Sequence, residues 1–136
     1  MAGPARLTTH VLDTSRGTPA AGLLIDLFRL GSKPTERTHL RTIETSTSGH
    51  TNGALIEGDA LVPGVYELLF HVGRYFRRSG VGGAGSAAAG AGGAAAATEP
   101  QFLDLVPVRF AIGDAAQSYE IALAISPWSY AVYRER

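Results

Sequence analysis

A chain of 136 residues in which 12 Lys and Arg balance 12 Asp and Glu carries no formal net charge, so no long-range field draws it to nucleic acid or to an anionic membrane. It contains no cysteine, which excludes disulfides and thiolate metal sites and suits the cytoplasm, the location we expect. One domain over 1–136 is expected at this length; Met1 to Arg6 lacks the apolar run of a secretion signal, and no run of about 18 apolar residues offers a membrane span.

Leu7 to Asp13 reads as a strand, closed by the turn cluster Asp13 to Pro19. Gly22 to Leu30 alternates Leu23, Ile25 and Leu27 on one face with Leu24, Asp26 and Phe28 on the other. Apolar groups on both faces imply a sandwich interior on one side and an interface on the other. Gly31 to Pro34 is a turn, Thr38 to Thr45 a half-exposed strand, and Thr47 to Gly53 a polar loop. Pro63-Gly64 introduces a strand from Val65 to Val72. Beyond it, Arg74, Arg77 and Arg78 read as a solvated basic patch. Ser79 to Thr98 is almost wholly Gly and Ala; with little to bury, it is expected to be a flexible surface insertion at 79–98. Val106 to Ile112, Tyr119 to Ile125 and Tyr130 to Tyr133 complete the strands. Short strands between Gly and Pro turns, with no long helical period, predict an all-β sandwich or barrel.

Five segments, in order, carry a resemblance. Leu7 to Ala20, Glu57 to Glu67, Phe70 to Phe76, Phe102 to Phe110 and Ile125 to Tyr130 are similar to the transthyretin-like family, its 5-hydroxyisourate hydrolase branch in particular. The resemblance implies a transthyretin-like sandwich of two four-stranded antiparallel sheets with one short helix, here near Arg74 to Ser79. It also implies a homotetramer, a dimer of dimers, whose clefts are lined by the first and the last two strands.

The hydrolases of that branch open a urate-derived ring by water attack on a carbonyl. They use a His in the first strand, an Arg after an Asp-Gly turn, a second His in the penultimate strand and a Tyr-Arg-Gly-Ser ending. His10 stands at the first of these positions, and we expect it to be a general base or an orienting residue. His50 stands in the Arg position, within Ser48-Gly49-His50, and is expected to bind substrate; it lacks the permanent charge and five-donor fork of guanidinium. Glu120 replaces the second His. Its neighbours Tyr119 and Ile121 point to the other face, so Glu120 should face the cleft and pair with His10 or Arg134, or act as an acid. Tyr133 and Arg134 keep the first half of the ending and would orient substrate and hold an oxyanion, while Glu135-Arg136 replaces Gly-Ser.

Trp128 is expected to pack, His71 to be structural and His39 to be exposed. His10, His50 and Glu120 form a metal-ligand set by type, but sequence supplies no distances and the resemblance implies no metal, so no metal or cofactor is expected. The expected function is a 5-hydroxyisourate hydrolase-like enzyme, a hydrolase or recruited cyclase acting on a cyclic amide or similar electrophilic ring. Its changed site disfavours hydroxyisourate itself, because a carboxylate opposes an anionic substrate. The alternative is a non-catalytic small-molecule binder in the manner of transthyretin; a purely structural oligomer ranks last, since an inward polar set would only cost desolvation.

Overall fold

Period-two patterning settles into two sheets in the computed structural model, which describes residues 4–33, 35–79 and 100–135. The strands are β1 (Arg6–Asp13), β2 (Thr18–Pro19), β3 (Leu24–Leu30), β4 (Arg37–Glu44), β5 (Ile56–Glu57), β6 (Gly64–His71), β7 (Leu105–Ile112), β8 (Tyr119–Ile125) and β9 (Tyr130–Arg134). A helix, α1 (Val72–Ser79), leaves β6 directly and begins two residues earlier than the sequence suggested. One sheet has the order β4-β3-β6-β7; the other runs β2-β1-β8-β9, with β5 also paired to β1.

The architecture is the expected all-β sandwich with one short α-helix, and its details differ in two ways. The second sheet rests on three long strands, because β2 and β5 contribute two residues each. The β1–β8 pair is parallel, from Leu7 opposite Tyr119 to Asp13 opposite Ile125, whereas the other strand pairs are antiparallel. No hairpin links β1 to β8, so no turn imposes an antiparallel sense.

The core lies between the sheets. Leu7 and Val11 of β1, Ile25 and Leu27 of β3, Leu68 and Phe70 of β6, and Leu123 and Ile125 of β8 are all buried. Each such side chain stabilises the fold by roughly 1.5–3 kcal/mol relative to exposure. Phe76 of α1 joins them, and Tyr75 beside it reaches the carboxylate of Asp13 at 2.8 Å. Asp13 is fully buried at the end of β1, and it also accepts from the Ser15 amide and hydroxyl at 3.0 and 2.6 Å. These donors compensate the desolvation that would otherwise exclude a carboxylate from this position. Burial, then the Asp13 carboxylate, push the Tyr75 hydroxyl above its ordinary pKa.

Strand β4 is exposed along nearly its whole length, more so than the half-exposed strand expected for Thr38 to Thr45. It is a sheet edge, and its charged side chains protect that edge from further pairing. The three arginines of the basic patch are engaged: Arg74 lies 3.7 Å from Glu44, Arg77 lies 4.0 Å from Asp104, and Arg78 donates to the Gly22 carbonyl. Trp128 departs from expectation. It is 63% exposed in the turn between β8 and β9, where no layer of the described residues covers it. Apart from Ser79, which closes α1, the Gly/Ala insertion lies outside the described residues. Among the described residues, no helix is long and apolar enough to cross a membrane.

Candidate active site

Alternation along β1 decides where its histidine goes. Thr9 and Val11 face the core, so His10 projects from the outer face of the β2-β1-β8-β9 sheet. On β8 the same rule buries Tyr119 and Ile121 and turns Glu120 outward. The parallel register sets Thr8 opposite Glu120 and His10 opposite Ala122, so His10 and Glu120 are diagonal neighbours on one face. Their side chains meet: His10 Nδ1 lies 2.6 Å from Glu120 Oε2.

The second imidazole arrives from a loop. His50 forms an isolated bridge with His10, and the Val11 amide donates to the Gly49 carbonyl at 2.9 Å. Gly49 has φ +81°, and a Cβ there would stand 2.5 Å from the Val11 carbonyl oxygen. Only glycine allows the loop to approach β1 this closely. His50 consequently stacks on His10, with ring centroids 4.8 Å apart and planes at 29°. Its Nε2 lies 4.0 Å from Glu120 Oε2, and its Nδ1 lies 3.3 Å from the Ser48 carbonyl oxygen.

A third group is one that sequence reading passed over. The Glu135 amide donates to the Glu120 carbonyl at 2.8 Å, and the Glu135 carboxylate stands 3.3 Å from His10 Nε2. The ring of His10 is thus flanked by carboxylates on both nitrogens. Alternation along β9 from Tyr133 would have located Glu135, since residues two apart share a face.

The end of the chain divides between the two faces. Tyr133 is opposite Ala122, which is itself opposite His10, so the small Ala122 separates the exposed Tyr133 from the imidazole. Arg134 is opposite Ile121 and therefore on the inner face of the sheet. Its guanidinium lies 4.4 Å over the Tyr119 ring and donates to Gln117 Oε1 at 3.2 Å. The geometry gathers His10, His50 and Glu120, sets Tyr133 beside them and turns Arg134 away.

Against this group lies a cleft of about 390 Å³, lined by Arg6, Thr8, Thr9, His50, Thr51, Gly53, Ser118, Tyr119 and Glu120. Its lining holds Glu120, whose carboxylate contacts His10 beyond the lining, together with His50 and a cation, Arg6. That is sufficient to polarise a carbonyl and to deliver or accept a proton beside it.

The model of the HIUase/Transthyretin family matches residues 7–135. The chain is 44% identical over 134 residues to 5-hydroxyisourate hydrolase 2 of Rhizobium meliloti (strain 1021), covering 98% of each protein. Among solved structures it resembles (S)-allantoin synthase, with a TM-score of 0.80 and 32% identity over 98% of this chain, which spans only 44% of that longer one. It also resembles the 5-hydroxyisourate hydrolase of Klebsiella pneumoniae, with a TM-score of 0.70 and 25% identity, covering 97% of this chain and 99% of the other.

Proposed function

The chain belongs to the HIUase/transthyretin family, and from that premise we propose that it is a hydrolase of the 5-hydroxyisourate hydrolase type, opening a cyclic amide ring by water attack in the His10–Glu120 groove. The observation that carries the reading is the 2.6 Å contact between His10 Nδ1 and Glu120 Oε2, with His50 stacked on the same ring. Glu120 orients His10. The Nε2 contact to Glu135 is 3.3 Å, long for a charge-assisted bond, and Glu135 is half-exposed, so water replaces it readily. His10 Nε2 then takes the proton of that water as it attacks the ring carbonyl, and the ring nitrogen leaves with a proton from the imidazolium. Arg6 supports the developing oxyanion and Tyr133 orients the ring; Arg134, on the other face, has no direct part in this scheme.

The substrate we assign is a neutral or cationic ring. Two carboxylates beside the imidazole oppose an anion, each by about 1–4 kcal/mol at contact distance, depending on the local dielectric. The test is kcat/KM on freshly generated 5-hydroxyisourate and on a neutral cyclic amide, before and after Glu120→His. The neutral ring should be preferred by the native chain, and the substitution should shift preference towards the anion by 10-fold or more, on the order of one carboxylate's repulsion. A family-typical rate on 5-hydroxyisourate in the native chain would remove the argument from charge. Turnover of neither ring, with tight binding retained, would favour the transthyretin-like binder.

A cytoplasmic tetramer, a dimer of dimers closing on this face, is part of the same reading. Leu12 and Tyr133 are exposed beside the groove at 42% and 56%, an apolar rim suited to a second copy. Light scattering coupled to size exclusion checks the assembly.

A further inference from the structure

Two imidazoles and one carboxylate converge at the groove, a donor set richer than hydrolysis by one acid–base pair requires. A neutral imidazole carries one N–H and one lone pair. His50 Nδ1 faces the Ser48 carbonyl oxygen at 3.3 Å, an acceptor that takes its N–H, and this leaves the lone pair on Nε2. His10 Nδ1 shares its proton with Glu120 Oε2 at 2.6 Å; with that proton displaced, the N–H moves to Nε2, which faces Glu135 Oε1 at 3.3 Å, and the lone pair is on Nδ1. In that deprotonated arrangement both lone pairs stand near one atom, Glu120 Oε2, at 2.6 Å from His10 and 4.0 Å from His50. A divalent cation held by all three atoms would stand in place of the single proton that His10 Nδ1 otherwise shares with Glu120.

We propose that His10 Nδ1, His50 Nε2 and the Glu120 carboxylate form a binding site for one divalent first-row transition ion, of the zinc class. The donor atoms lie within 4.8 Å of one another. A zinc-sized ion bound at about 2.0–2.2 Å holds tetrahedral ligands roughly 3.3 Å apart. His10 and Glu120 must therefore part slightly from 2.6 Å, and His50 must close from 4.0 Å. Both are side-chain rotations, and His50 has room to turn because its side chain is 54% exposed. The other nitrogen of each ring is held by an oxygen acceptor, Glu135 for His10 and the Ser48 carbonyl for His50. This is the outer-shell arrangement that fixes the tautomer of metal-bound histidines. Two imidazoles select against Mg²⁺ and Ca²⁺, which prefer oxygen. His50 and Glu120 both line the 390 Å³ cleft, so a position left open on the ion would face that space and admit water or a substrate oxygen.

This inference uses the groove assigned above but does not depend on its turnover. The experiment takes the untagged full-length chain, strips it with a chelator and titrates it with Co²⁺ and then Zn²⁺. We expect one Co²⁺ per chain with the visible bands of a four- or five-coordinate site, displaced by Zn²⁺. His50→Gln and Glu120→Gln should each weaken binding at least 10-fold, and Glu135→Gln, which removes only an outer partner, by about 10-fold with the band shape kept. Unchanged thermal melts keep a folding defect from mimicking these losses. Absence of the bands, or bands indifferent to His50→Gln and Glu120→Gln, overturns the site. Ring opening is read separately on the stripped and the Co²⁺-loaded chain: turnover with no Co²⁺ bands on loading rejects the metal and leaves the hydrolase, and bands with no turnover in either state keep the metal and reject the hydrolase.

Discussion

The outer faces of the two sheets each gather two imidazoles around a carboxylate, with Glu135 as a second carboxylate in the groove, and the clusters differ in what their atoms still have to offer. On the β4-β3-β6-β7 face, Asp26 is fully engaged. Its Oδ1 accepts from the Thr42 hydroxyl and lies 3.2 Å from His39 Nε2, and its Oδ2 lies 2.8 Å from His71 Nε2. On the opposite face a single oxygen, Glu120 Oε2, is approached by both His10 and His50, and the group opens on a cleft. The same residue types make a structural network where both carboxylate oxygens are occupied and a candidate site where two imidazoles share one oxygen beside an open cleft. Composition does not separate the two; the remaining valence does.

The sharpest test of that distinction is a pair of substitutions. His10→Ala should lower ring opening by about 10²–10⁴-fold with little change in Tm, since a positioned acid–base group supplies that much and His10 lies outside the core. His71→Ala should leave turnover within about 2-fold and cost roughly 1 kcal/mol, as for a partly exposed side-chain hydrogen bond. Equal losses of turnover in the two variants would erase the contrast between the faces. Next in size is Gly49→Ala. With φ +81° and a Cβ 2.5 Å from the Val11 carbonyl, the variant should lose about 1–3 kcal/mol in denaturant titration. It should also lower turnover by releasing His50 from His10, while the hydrogen bonds of Asp26 are untouched.

How much of this was legible follows from what local pattern encodes. Tyr119 to Ile125 was readable to the residue because strict alternation around Glu120 fixes both the strand and its outward side chain. The parallel sense of β1 and β8 was not, because it depends on how two distant segments meet. Meeting of His10 and His50 needed a loop folded back through Gly49, which no period announces. Glu135 and Arg134 are instructive. The comparison with a Tyr-Arg-Gly-Ser ending drew attention to the arginine, whereas simple alternation from Tyr133 turns Arg134 inward and brings Glu135 to the groove. Trp128 shows the limit in the other direction, for an aromatic packs only if something covers it, and among the described residues nothing does.

The smallest expected effect concerns acid. Burial by itself would raise the pKa of Asp26, but hydrogen bonds from Thr42, His71 and His39 outweigh it and hold the carboxyl below its ordinary 3.8. A group whose pKa is depressed on folding stabilises the native state above its unfolded value, and that contribution disappears as pH falls through the folded value. Asp26→Asn should therefore be less stable than the native chain by about 1 kcal/mol or less at neutral pH, the scale of partly exposed pairs. The gap should hold down to about pH 4 and close below it, as read by urea midpoints across an acid series. Ring opening at neutral pH should be unchanged, because Asp26 lies on the face that the groove does not use. A gap that persisted unaltered into strong acid would mean that Asp26 contributes through packing instead of charge, and the view of this face as an ionic network would fail.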